Sequence, residues 1–178
     1  LILEEQIIQN KKMASLHPNS LNTLRIVTYL DEKGKITIHM PFIKIGQKGS
    51  FVDNGGSGGI LAQIDPKNGT IITDGKDELN NRYVKHPDTN IIFKGFEIPE
   101  WNEVIKLVTK AANEFTKTRY IGWDVGISKD NGPVIVEANG KTQFIGQQIT
   151  DEIGKRKNLE KLINYKKLKK KNKNYEKW

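Results

Sequence analysis

The sequence contains no cysteine, and its three histidines, at positions 17, 39 and 86, lie far apart in the chain. The first absence excludes a disulfide framework and a thiolate zinc site. The histidine spacing has no zinc-type pattern, so any metal is expected to be held by oxygen. No apolar run approaches the roughly 20 residues of a membrane helix, and the opening LILEEQIIQN has no basic region ahead of its apolar residues. A cytoplasmic protein is therefore the expectation. What is present, 36% hydrophobic residues over 178 positions, suffices for one buried core and gives no sign of global disorder.

The net charge of +8 invites a nucleic-acid reading until it is located. Residues 155–178 carry eleven Lys or Arg and two Glu, a net of +9, which leaves residues 1–154 with 18 basic and 19 acidic side chains. A neutral body argues against a nucleic-acid partner. In the tail, Leu159, Leu162, Ile163 and Leu168 could line a short helix before the lysine run takes over, with disorder expected beyond it. Such a run is read first as solvated; contact with an anionic membrane or with nucleic acid is the alternative. The division is thus a body, 1–154, and a basic tail, 155–178. Because the chain opens at Leu1 in a strand-like run, it is read as part of something longer.

Along the body, LNTLRIVTYL and KITIHMPFIKIG flank DEKG and read as a hairpin, with Gly34 supplying the permissive turn backbone. Five glycines between Gly49 and Gly59 place GSFVDNGGSGGI on a loop. GILAQIDPKNGTIIT follows as strand, turn and strand. Behind Pro99, the residues Trp101, Val104, Ile105, Val108, Ala111, Ala112 and Phe115 recur at helical spacing. Strands outnumber helices, so the expected class is α+β with a mostly antiparallel sheet and packed helices.

The segment YIGWDVGISKDNGPVIVEANG carries the sharpest signal. Two strand-like runs flank Lys129, Asp130, Asn131 and Gly132, which favour a tight turn. A hairpin symmetric about the Asp130–Asn131 bond sets Asp124 opposite Glu137, and on the other face pairs Trp123 with Ala138, Val125 with Val136 and Ile127 with Val134. Glu137 and Asn139 then point the same way, and Gly122 and Gly126 leave space beside Asp124. Two carboxylates opposed at roughly 5 Å between Cβ atoms repel unless a proton or cation lies between them. Asp124, Glu137 and the Asn139 amide oxygen are hard donors suited to Mg²⁺. The alternative is an acidic, partly solvated hairpin with no ligand.

GWDVGI, a glycine turn and GPVIVEANG resemble the closing metal motif of ATP-grasp enzymes. LILEEQI is similar to that family's adenine hinge, LNTLRIVTY to the strand that follows, and FVDNGGSGGI to its glycine-bearing loop, in family order. HPNSLNTLRIVTY, VDNGGSGG, HPDT, IPEW and YIGWD resemble most the sugar-transfer-associated ATP-grasp proteins, related to α-L-glutamate ligases. The resemblance implies the carboxyl-terminal subdomain of such a protein, with the amino-terminal ATP-grasp domains, whose lysines grip phosphates, missing from this chain. It implies ATP and Mg²⁺ as cofactors and a small-molecule or sugar-linked substrate.

Carried over residue by residue, it places Glu4, Glu5 and Ile7 at the adenine edge, where peptide groups do the reading. Taken by themselves, Glu4 and Glu5 read better as a strand end. Arg25 would neutralise phosphate or bind a substrate carboxylate, against the alternative of a surface strand residue. Asn54, with Gly58 and Gly59, would lie near the γ-phosphate or the acceptor; a plain flexible lid is the competing reading. Asp124 and Glu137 would hold ATP phosphates through the metal, with Asn139 as the third metal ligand. The implied reaction is attack of a carboxylate on the γ-phosphate and capture of the acyl phosphate by an amine or hydroxyl, in cell-surface polysaccharide assembly. Two features depart from the family: Lys44 stands where an arginine is expected, and no proline follows Asn139. A noncatalytic nucleotide- or glycan-binding module, and a basic-tailed membrane or nucleic-acid adaptor, remain as other readings. His17, His86, Trp101 and Trp123 are read as structural.

Overall fold

The computed structural model describes residues 5–47 and 59–162. Its strands are β1 (Thr23–Leu30), β2 (Ile36–Ile45), β3 (Ile60–Gln63), β4 (Gly75–Lys76), β5 (Arg82–Tyr83), β6 (Tyr120–Ser128) and β7 (Gly132–Asn139). They form one antiparallel sheet in the order β5-β4-β3-β2-β1-β6-β7. The helices are α1 (Lys11–Leu16), α2 (Trp101–Glu114), α3 (Ile145–Ile149) and α4 (Arg156–Leu162). The class is α+β, as the strand-rich sequence led us to expect.

The β1–β2 hairpin closes at DEKG, the expected turn. Gly34 takes φ +79°, and the Asp31 carboxylate accepts from the backbone N–H of Lys33 and Lys35. Such a turn needs a left-handed residue and a short acidic side chain for its free N–H groups, and both are encoded locally. GTIIT forms no further named strand. Its Thr70 and Ile71 make only isolated bridges, to Glu97 and Ile64.

Helix α2 buries Trp101, Val104, Val108 and Ala112. This single stripe joins Leu24 and Ile26 of β1 and Trp123, Val125 and Ile127 of β6 in the main core cluster. Alternation along an antiparallel strand delivers those residues to one side. The indole N–H of Trp123 donates to Thr28 Oγ1 at 2.9 Å, so the one polar atom that Trp123 carries into the core is satisfied.

The β6–β7 register follows the sequence reading at one end only. Trp123 pairs with Ala138 and Asp124 with Glu137, but a bulge then shifts Val125 opposite Ile135 and Ile127 opposite Pro133. Val136 is the extra residue and is 50% exposed, not the core partner of Val125. The bulge shortens the loop to Lys129–Asn131 and leaves Gly132, at φ +67°, facing Ser128. Turn geometry thus overrides the symmetric register.

Candidate functional site

Arg25, Asp124 and Glu137 occupy neighbouring register positions on β1, β6 and β7, so antiparallel pairing alone sets three charged residues in one row. Phe42 on β2 extends the row beyond Arg25, and Lys44, two residues on, points to the same face.

Asp124 is 4% exposed and does not stand alone. Arg25 grips it with both arms of its fork, Nε to Oδ1 at 2.6 Å and Nη2 to Oδ2 at 2.9 Å. Lys44 Nζ lies 3.2 Å from Oδ2. The third Arg25 donor, Nη1, reaches Thr142 Oγ1 at 2.9 Å. A carboxylate buried this deeply requires paired and hydrogen-bonded charge, and a bidentate arginine supplies both. Two cations therefore face one buried anion, while Glu137 beside it is exposed.

Opposed carboxylates at Asp124 and Glu137 are present, but Arg25 and Lys44 already balance Asp124, so their opposition does not by itself require a cation. The space expected beside Asp124 is also filled. A Cβ on Gly122 would overlap Thr142 Oγ1 and lie 2.6 Å from Thr142 Cβ, and one on Gly126 would lie 3.1 Å from Leu21. These glycines admit the chain's own side chains.

The donor set still fits a hard cation. Each carboxylate oxygen accepts at two lone pairs, and Asp124 Oδ1 is engaged by one donor, Arg25 Nε. Glu137 offers an exposed carboxylate, and Asn139 sits across from Gly122 with its buried Nδ2 lacking a hydrogen-bond partner among the described residues. An amide with an idle nitrogen at the edge of such a cluster leaves its orientation open to a ligand.

The amino-terminal segment is tied to the same hairpin. Gln9 bridges Ser128, Asn10 N–H donates to Ile127 O, and Lys129 N–H donates to Ile8 O, both at 2.8 Å. Glu5 and Ile7 consequently line an open cleft of about 400 Å³ whose other wall is Ser128, Asp130, Asn131 and Val134–Val136. That wall ends one residue before Glu137. Ile8 is exposed, so this segment skirts the sheet and does not enter the core. Glu4, Asn54 and Gly58 lie outside the described residues; Gly59 is buried at the entry to β3.

In sequence Lys44 stands out only as a departure from the family pattern, and Thr142 does not stand out at all. No local pattern marks either, since each reaches Asp124 or Arg25 through strand pairing or chain return. By spacing alone, His17 and His86 read as structural. The fold sets their rings 5.4 Å apart, with Asp88 beside both.

The antiparallel α+β sheet and its charged row now meet an independent finding: residues 1–164 match the family described as sugar-transfer associated ATP-grasp. The chain belongs to that family, and membership suggests an ATP-dependent, ligase-type activity. No curated protein and no solved structure matches it. Among the described residues, no helix is long and apolar enough to cross a membrane.

Proposed function

We propose that residues 1–154 are the carboxyl-terminal part of an ATP- and Mg²⁺-dependent ligase, followed by a basic tail. Such an enzyme would join a carboxylate to an amine or hydroxyl of a small-molecule or sugar-linked substrate during cell-surface polysaccharide assembly in the cytoplasm. The observation that carries this reading is the Arg25–Asp124–Lys44 cluster, with Glu137 as the register partner of Asp124 and Asn139 two residues on along β7.

In this reading the substrate carboxylate attacks the γ-phosphorus and ADP leaves. The amine or hydroxyl then attacks the acyl carbon, loses its proton, and inorganic phosphate departs. Arg25 and Lys44, two cations against the one Asp124 carboxylate, would leave net positive charge for phosphate oxygens, and phosphoryl transfer depends chiefly on such positioning and neutralisation. Asp124, Glu137 and Asn139 would hold Mg²⁺, which supplies charge neutralisation across the phosphates. The backbone around Glu5 and Ile7 would read the adenine edge, and Asn54 would approach the acceptor. The amino-terminal ATP-grasp domains would close the other side.

The test is the melting temperature of the full-length protein with Mg²⁺ and a non-hydrolysable ATP analogue. The stabilisation should disappear in Glu137→Gln, whose exposed position keeps the fold intact, and in Glu137→Gln combined with Asp124→Asn. An unchanged shift in both would remove the site. One observation favours a second reading, a nucleotide-binding module without turnover: Asp124 is already neutralised by Arg25 and Lys44. Binding of Mg²⁺–ATP with no phosphate released from any carboxylate–amine pair would select it.

A further inference from the structure

We infer that His17, His86 and Asp88 form a binding site for a divalent transition-metal ion of the zinc type, separate from the charged row at Asp124. Their potential ligand atoms all lie within 4.8 Å of one another. Asp88 Oδ2 is 4.0 Å from Nδ1 of each histidine, and the two imidazole rings are 5.4 Å apart and tilted by 32°. Zinc bound tetrahedrally to nitrogen and carboxylate oxygen at about 2.0–2.2 Å sets its ligand atoms roughly 3.3–3.6 Å apart, so binding would draw these atoms together by about 0.5–1.5 Å.

The surroundings prepare the ligands. His86 Nε2 lies 2.8 Å from the carbonyl oxygen of Gly46. A carbonyl can only accept, so Nε2 carries the proton and the Nδ1 lone pair is turned towards Asp88. A ligating histidine commonly donates its other N–H to a carbonyl in this way, which fixes tautomer and ring orientation. The Asp88 N–H approaches that lone pair at 3.2 Å, the weak contact that an ion would replace. Both imidazoles are essentially fully buried, whereas the Asp88 side chain is 28% exposed and opens one side to solvent. Two imidazoles and one carboxylate leave a fourth position for water, a donor set that suits zinc or cobalt better than magnesium.

The elements involved give the ion a structural task. His17 caps α1, His86 and Asp88 belong to the turn before Phe93, and Gly46 leaves β2 towards the glycine-rich run. A Cβ on Gly46 would lie 2.9 Å from the His17 ring, so this backbone is pressed against the cluster. An ion here would join the end of α1 to the 86–88 turn, to which Gly46 is held through His86.

The sequence makes the test clean, because there are three histidines and no cysteine. The full chain, stripped with chelator, is titrated with Co²⁺ and then Zn²⁺. One equivalent of Co²⁺ should develop visible ligand-field bands that Zn²⁺ removes, and Zn²⁺ should raise the melting temperature. The imidazole ¹⁵N resonances of His17 and His86 should shift while those of His39 stay. Asp88→Asn should weaken the affinity by more than about tenfold, the least expected when a ligand rather than its outer partner is altered. Should that variant not fold, the imidazole resonances of the unaltered chain decide. Absence of a one-equivalent site, unmoved His17 and His86 resonances, or an Asp88→Asn chain that binds as tightly would each overturn the proposal.

Discussion

Arg25 on β1 and Asp124 on β6 are separated by 99 positions in sequence, yet they are direct register partners and share two hydrogen bonds of 2.6 and 2.9 Å. Asp124 is the anion against both Arg25 and Lys44, so removing it strands two cations at once. Asp124→Leu should therefore cost about 3–5 kcal/mol in urea unfolding, and Asp124→Leu with Arg25→Met and Lys44→Met should recover much of the loss. A triple variant no more stable than the single one would mean that the cluster carries no such coupling.

Thr142 occupies the space over Gly122. Gly122→Ala should destabilise by about 1–3 kcal/mol, because the added methyl meets a close-packed side chain, and Thr142→Gly in the same chain should relieve the clash. Thermal melts of the two variants beside the parent read this directly.

Asp77 supplies an acid-sensitive contact. Burial opposes its charge, but bonds from the Asn81 side chain and backbone, the Tyr83 hydroxyl and the Leu79 N–H outweigh burial and hold its carboxyl below the usual 3.8. Its stabilising contribution is therefore present above the unfolded value, about 3.8, and is lost as the pH falls through the lower folded value. Asp77→Asn should melt lower than wild type at pH 7. Its melting temperature should also fall less steeply on acidification, a contrast that a series of melts below pH 5 would display.

Val136 forms part of the cleft wall beside Glu5 and Ile7, and it is half exposed at the bulge. Under the ligase reading, Val136→Glu should weaken adenine-nucleotide binding by about tenfold, roughly 1.4 kcal/mol. Stability should change by no more than about 0.5 kcal/mol, as for an ordinary surface replacement. Calorimetric titration with the Mg²⁺ complex of the analogue checks the first expectation and unfolding the second.

The local code was legible where a few adjacent residues decide the outcome. Gly34 and Asp31 specify their turn, the 101–115 periodicity specifies α2, and alternation around Asp124 specifies which β6 residues enter the core. Less legible were helices α1 and α3, of 6 and 5 residues, too short for a periodic signal. The bulge at Val136 was hidden because a symmetric hairpin and a bulged one demand nearly the same turn residues.

The sequence by itself determined the α+β class, the family, and the opposition of Asp124 and Glu137, because pairing close to a turn depends on neighbours in the chain. Only the tertiary structure decided what meets those residues. Arg25, Lys44 and Thr142 converge on Asp124, and His86 joins His17, through sheet order and chain return across tens of residues. Charge balance and ligand geometry are set by distances in space, which spacing along the chain does not encode.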